Sequence, residues 1–268
     1  MRHHAITRSL AALGLVAMMA AGAAHAGRSC EPSKPTVDSV RRSLNLAQHT
    51  AKALNDSGAH GAQVALLGRQ GQDLRKYGLQ YSHMGWAYKS ATGDWRVVHK
   101  LNECGTAQSR IYRQGLGEFF LDDLWRYQAV VMVPTPEVQQ KLLLSLSANA
   151  QATKLHHSAY SMVSYPWSQR YQQSNQWAME TLASAMEPQK INNRQQAQAW
   201  LQYQGYQPSD LRLGTFTRLG GRVTSANIAF DDHPPEKRFA GHIETVTVDS
   251  VLRFLQTAQL AAAPIVVQ

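Results

Sequence analysis

Acidic residues are scarce in this 268-residue chain: 18 against 27 lysines and arginines, for a formal charge of +9. The basic excess is not gathered into any Lys/Arg run, and that spread argues against a nucleic-acid partner. Cysteine is scarcer still, with only Cys30 and Cys104. No apolar run after the N-terminus is long enough to cross a bilayer, so no integral membrane segment is expected in the mature chain. Internal repeats and low-complexity linkers are also lacking. These absences leave one ordinary core, with 44% of residues hydrophobic.

What is present begins with the first 26 residues, which read as a cleavable secretory signal. Arg2 and Arg8 form a positive start, Leu10 to Ala21 an apolar stretch, and Ala24-His25-Ala26 a small-residue cleavage site. Cleavage after Ala26 removes both arginines, so the mature charge falls by two. A basic protein outside the cytoplasm suits anionic envelope partners. In an oxidising compartment Cys30 and Cys104 read as one disulfide. Neither then serves as a nucleophile.

Periodicity predicts an α+β fold in a single domain over 27–260, with 261–268 as a tail. An amphipathic helix is expected from about Thr36 to Asn55, with Val37, Val40, Leu44, Ala47, Ala51 and Leu54 inward. Strands are expected at 63–67, 83–88, 95–99 and 127–133, the second and third forming a hairpin. The segment 105–125 reads as partly helical. Thr135 and Pro136 open a helix to about Ala152, and further helices are expected at 174–186 and 193–203. The C-terminal additions read as a hairpin over 213–230 turning at Gly220-Gly221, a strand at 242–248 and a helix capped by Asp249.

Three segments carry candidate chemistry: Ser82-His83-Met84-Gly85-Trp86, Trp95-Arg96-Val97-Val98-His99, and Gln173-Ser174-Asn175-Gln176-Trp177. A hydroxyl at a helix start faces unpaired N–H groups that lower the energy of an oxyanion. A nearby imidazole takes its proton and a second polar group fixes that imidazole's tautomer. Ser174 is therefore the candidate nucleophile, His83 the base and His99 its orienter, with the Ser174 and Asn175 amides as an oxyanion site. Ser174 is equally a good helix cap. Asn175, Trp177, Arg69 and Asp73 are candidate binding residues, the last two alternatively fixing a local turn. Asp231, Asp232 and His233, with His242 beyond, invite a metal-dependent hydrolase, but Pro234-Pro235 and the lack of a His-x-x-x-His pair favour a structural turn. No metal site and no cofactor is called for.

Over roughly residues 60–185 these segments resemble the circularly permuted papain-like proteins, relatives of the NlpC-type cell-wall peptidases and of lecithin–retinol acyltransferase. That group carries a His-x-Gly-x-aromatic strand, a hairpin partner with a second polar residue, and a helix beginning Asn-Cys-x-x-Phe. Ser174 stands where the cysteine belongs. The resemblance implies a permuted papain-like fold with an antiparallel sheet packed by helices. It also implies a hydrolase or acyltransferase acting on an envelope amide or ester, such as a peptidoglycan peptide or a lipid. A catalytically inactive binding module on the same fold is the alternative. The whole chain is also similar to a secreted bacterial family catalogued only as a domain of unknown function (2145), which implies no activity.

Overall fold

The computed structural model describes residues 34–57 and 61–268. The expected signal and Cys30 lie outside the described residues. No free thiol is found among the described ones.

The first helix, α1 (Val37–Asp56), starts where Thr36 and Ser39 cap each other's backbone amides. Its buried seam is Ser43, Leu46, Ala47, Thr50 and Leu54. The expected seam is rotated: Val37 stays exposed, and Leu44 is exposed on all but the side that lies near Gly117. Then come β1 (Val64–Gln70), a short 3-10 turn at Arg75–Tyr77, β2 (His83–Lys89) and β3 (Trp95–Asn102). The expected hairpin is present, with Trp86 opposite Val98. The segment read as partly helical instead gives a full strand, β4 (Ser109–Gly115), and only a five-residue helix, α2 (Leu116–Phe120). The alternation Arg110, Tyr112, Gln114 against Ser109, Ile111, Arg113 is polar on both sides, which hides a strand from periodicity.

Next come β5 (Arg126–Met132) and α3 (Pro136–Ser147), which stops five residues short of expectation. Ala148 is extended (φ −102°, ψ 121°), and the chain restarts as α4 (Asn149–Thr153). A long loop leads to α5 (Ser174–Met186) and α6 (Arg194–Tyr203), the latter capped by the Asn193 side chain.

The C-terminal reading needs the largest correction. No hairpin spans 213–230. The chain forms β6 (Ser209–Arg212), then helix α7 (Thr215–Thr224), then α8 (Pro235–Phe239), β7 (His242–Thr245) and α9 (Val248–Thr257). The Gly220-Gly221 pair lies inside α7, where a side chain at Gly221 would touch Ile228 at 3.5 Å. The hairpin partner of β6 is β7, with Arg212 opposite His242. Thr247, not Asp249, caps α9. Asp249 instead accepts the Gln80 and Tyr81 amides. The supposed tail holds β8 (Ile265–Val267).

Six strands form one antiparallel sheet, ordered β4-β3-β2-β1-β5-β8. Helices cover both faces, and strand alternation divides the core in two. Leu66, Met84, Trp86, Val98 and Val130 pack against α3, α5 and α9. Ala65, Leu67, Ala87, Val97 and Val131 pack against α1 and α2. The α+β class with an antiparallel sheet packed by helices is thus observed. Among the described residues no helix is long and apolar enough to cross a membrane.

Candidate functional site

His83 and His99 stand on neighbouring strands on the α2 side of the sheet. Both rings pack on Phe119, at 6.0 and 5.2 Å between centroids. Gly85 makes room for them: a methyl there would lie 2.9 Å from the His99 Cβ and 2.7 Å from Val97 Cγ1. The expected pairing of the two imidazoles is present, with His83 Nε2 2.8 Å from His99 Nδ1.

Two residues not singled out in the sequence extend this pair. His99 Nε2 lies 2.7 Å from Gln114 Oε1, and Gln114 Nε2 lies 3.0 Å from Glu118 Oε1. Together they fix the direction of every proton. A carboxylate only accepts, so the Gln114 amide nitrogen donates to Glu118 and its oxygen must accept from His99 Nε2–H. His99 Nδ1 is then a lone pair and accepts from His83 Nε2–H. The lone pair left over is His83 Nδ1, which no described protein group bonds and which is not sealed from solvent. Both rings are held neutral. Burial and then the Arg69 charge lower His83 well below the ordinary histidine value. The same two causes bring His99 down to about 3.

Arg69 lies beneath the pair, its guanidinium 4.5 Å from the Phe119 ring centre. It bonds the Phe119 carbonyl and Asp122. The expected turn-fixing pair with Asp73 is not formed, since Arg69 lies within β1 and its side chain is held by Phe119 and Asp122. Asp73 instead pairs with Arg75 at 2.6 Å, which lowers its carboxyl to about 2.

The helix-start group lies on the other face. Strand alternation sends Met84, Trp86 and Tyr88 toward α5, and the Trp86 indole donates to Ala178 O at 2.9 Å. His83 and His99 are on the opposite parity. No hydrogen bond joins His83 to Ser174 in the described structure, and both Ser174 and the neighbouring cavity residue Tyr160 are buried. Ser174 is not the cap either: the Gln173 side chain caps α5 by accepting the Asn175 N–H at 2.9 Å. That bond also occupies the amide expected to serve an oxyanion. Asn175 Nδ2 donates to Val246 O at 3.1 Å. Trp177 is fully buried, its indole directed at Ala152 O, so it belongs to the core and not to a binding surface.

The two groups meet around the end of the sheet. A cavity of about 660 Å³ has Ser82, His83, Gln173, Ser174, Asn175 and Thr245 among its polar lining residues. Its apolar lining includes Trp125, Met162 and a single packed cluster in which Leu74, Tyr77 and Leu79 meet Val163, Leu213, Ile228 and Phe230. Asp73, Lys76 and Asp123 also line it. A cavity of roughly 300–1,000 Å³ with apolar walls and a few polar groups is the usual form of a small-molecule site.

Of the residues expected from the sequence, His83, Ser174, Asn175 and Asp73 thus share this cavity, whereas His99, Arg69 and Trp177 lie behind it. The walls come mainly from 71–79 and from the C-terminal segment 211–230, which sequence reasoning had read as a loop and a hairpin.

A family model covers residues 56–255, from the end of α1 to the last helix, and so takes in the whole cavity. The chain belongs to that family. It is described as an uncharacterized protein conserved in bacteria (DUF2145). No curated protein and no solved structure matches the chain.

The acidic triplet is accounted for by local bonds. His233 Nδ1 lies 2.9 Å from Asp232 Oδ1 and its Nε2 lies 3.0 Å from Glu244 O. Asp232 also accepts the Tyr165 amide, while Asp231 binds Tyr171 and Arg170. His242 turns away to Asp210. Among the described residues no group of three or more His, Cys, Asp or Glu side chains converges.

Proposed function

We propose that this protein is an extracytoplasmic binding module that holds the apolar part of an envelope component, a peptide or a lipid fragment, in the cavity between the loop 71–82 and the segment 211–230. The observation that carries this reading is the cavity itself: a preformed space of about 660 Å³ lined by apolar side chains and a smaller set of polar ones. The export signal read from residues 1–26 and the basic charge support an envelope setting. The lack of a His83–Ser174 hydrogen bond favours binding over chemistry, because a serine hydroxyl needs its base aligned at the moment of attack.

The second reading is a permuted papain-like hydrolase or acyltransferase acting on an amide or ester. It is favoured by one observation: His83, whose tautomer leaves an unprotonated lone pair at Nδ1, lines the same cavity as Ser174. The purified mature chain decides between them. Thermal stabilisation by wall peptides or lipids, unchanged in Ser174→Ala and without turnover, is the expected result. Labelling of Ser174 by a fluorophosphonate, abolished in His83→Ala, would establish the hydrolase instead.

A further inference from the structure

We infer that the occupant of the cavity presents an uncharged hydrogen-bond donor, the N–H of an amide or the O–H of an alcohol, to Nδ1 of His83, its apolar body lying along the apolar lining. This rests on the binding reading and gives its ligand a head-group chemistry. The argument is the direction of the chain from Glu118 through Gln114 and His99 to His83, at 3.0, 2.7 and 2.8 Å. Each member of that chain is committed by the one before it, so the last ring shows the cavity an acceptor and not a donor. A partner group that also only accepts, such as a carboxylate or the carbonyl of a fully substituted amide, leaves that lone pair desolvated and unpaired.

Protonation of His83 does not rescue an anionic head. The half-buried ring loses solvation and lies near the Arg69 charge, and both conditions oppose a second proton. An ammonium head at Nδ1 meets the same Arg69 charge that lowers His83, and Asp73, one of the two carboxylates lining the cavity, is already paired with Arg75. An amide or alcohol meets neither obstacle. Gln114 and Glu118 are then positioning residues: they touch no ligand and act by fixing which nitrogen of each imidazole carries hydrogen.

The test uses the full mature chain and three ten-carbon probes, decanamide, N,N-dimethyldecanamide and decanoate, with titration calorimetry and 15N-edited spectra of the histidine rings. Decanamide is expected to bind about tenfold more tightly than either other probe, the size of one unmatched buried hydrogen bond. The free protein is expected to show His83 bare at Nδ1, with that resonance shifting when decanamide binds. In Gln114→Leu the tautomer preference is expected to weaken, and with it the preference for decanamide. Equal binding of all three probes, or a hydrogen on His83 Nδ1 in the free protein, overturns the donor requirement while leaving a binding cavity. Failure of every probe to bind overturns the cavity reading and this inference together.

Discussion

His99 and Lys100 are neighbours on β3, yet they serve opposite faces of the sheet. His99 joins a chain of hydrogen bonds that begins at the exposed Glu118 carboxylate, runs through neutral groups and stops at the open lone pair of His83, a residue that lines the cavity. Lys100 points the other way, is wholly buried, and donates to Gln172 Oε1 and His157 O, each at 2.7 Å. Gln172 in turn bonds Glu180, which is paired with Arg194 at 2.8 Å and also accepts from Gln198. One network is complete within the protein. The other lacks its last partner. Buried polar networks that are fully satisfied specify a fold, whereas an open end marks a place for something else.

The closed network is the one whose rupture should cost most. Glu180→Leu strands the Arg194 guanidinium among buried groups, with an expected loss of about 3–5 kcal/mol in chemical denaturation. A loss below about 1 kcal/mol would mean the two faces are not different in kind.

The two faces should also separate by pH. His83 and His99 are depressed below their unfolded value near 6.5, so the unfolded chain takes up protons first as pH falls. Stability is therefore expected to drop from about pH 6.5 downward, by up to about 1.4 kcal/mol per unit for each ring. Lys100 is lowered to about 6, by burial first and the Arg194 charge second. Its window lies higher: stability should rise with pH from about 6 toward the ordinary lysine value near 10.4. Denaturation series across pH 4–10 check both. A double variant His83→Gln, His99→Gln should reduce the acid limb to the share left by His156 and His157, which burial also lowers, without touching the alkaline one, and Lys100→Met should flatten the alkaline limb.

The smallest effect is expected from Gly85→Ala. Its methyl would lie 2.7 Å from Val97 Cγ1 and 3.0 Å from Val98 O. Crowding of this kind costs about 1–3 kcal/mol and should displace His99 from Gln114. Histidine ring spectra unchanged from the parent would show that the close approach does not hold the chain of imidazoles.

Much of the frame was legible because it rests on local signals. Helix α5 begins and ends where its periodicity says, and the β2–β3 hairpin follows from its turn. The imidazole pair was also readable, since one hairpin register places both rings together. The side of the sheet was not. It follows from which residues of β2 pack on α5, and His83 sits on the parity opposite Trp86, a fact fixed by the packing of a distant helix. Gln114 and Glu118 were invisible for a related reason: they lie on a strand and helix whose polar alternation masks them, and their roles exist only once β4 is in register with β3. The hairpin predicted at 213–230 failed because two glycines were read as a turn when their neighbours Phe216, Leu219 and Val223 repeat with helical spacing.

The last strand carries a practical consequence. β8 pairs with only three residues of β5, and the Gln268 carbonyl bonds His49 on α1 at 2.6 Å. Trimming residues 265–268 would uncover a row of amides and carbonyls along Ala129 to Val131, a template on which a second molecule can add its own strand. Affinity handles for purification therefore belong after a flexible spacer, where they leave that border of the sheet closed.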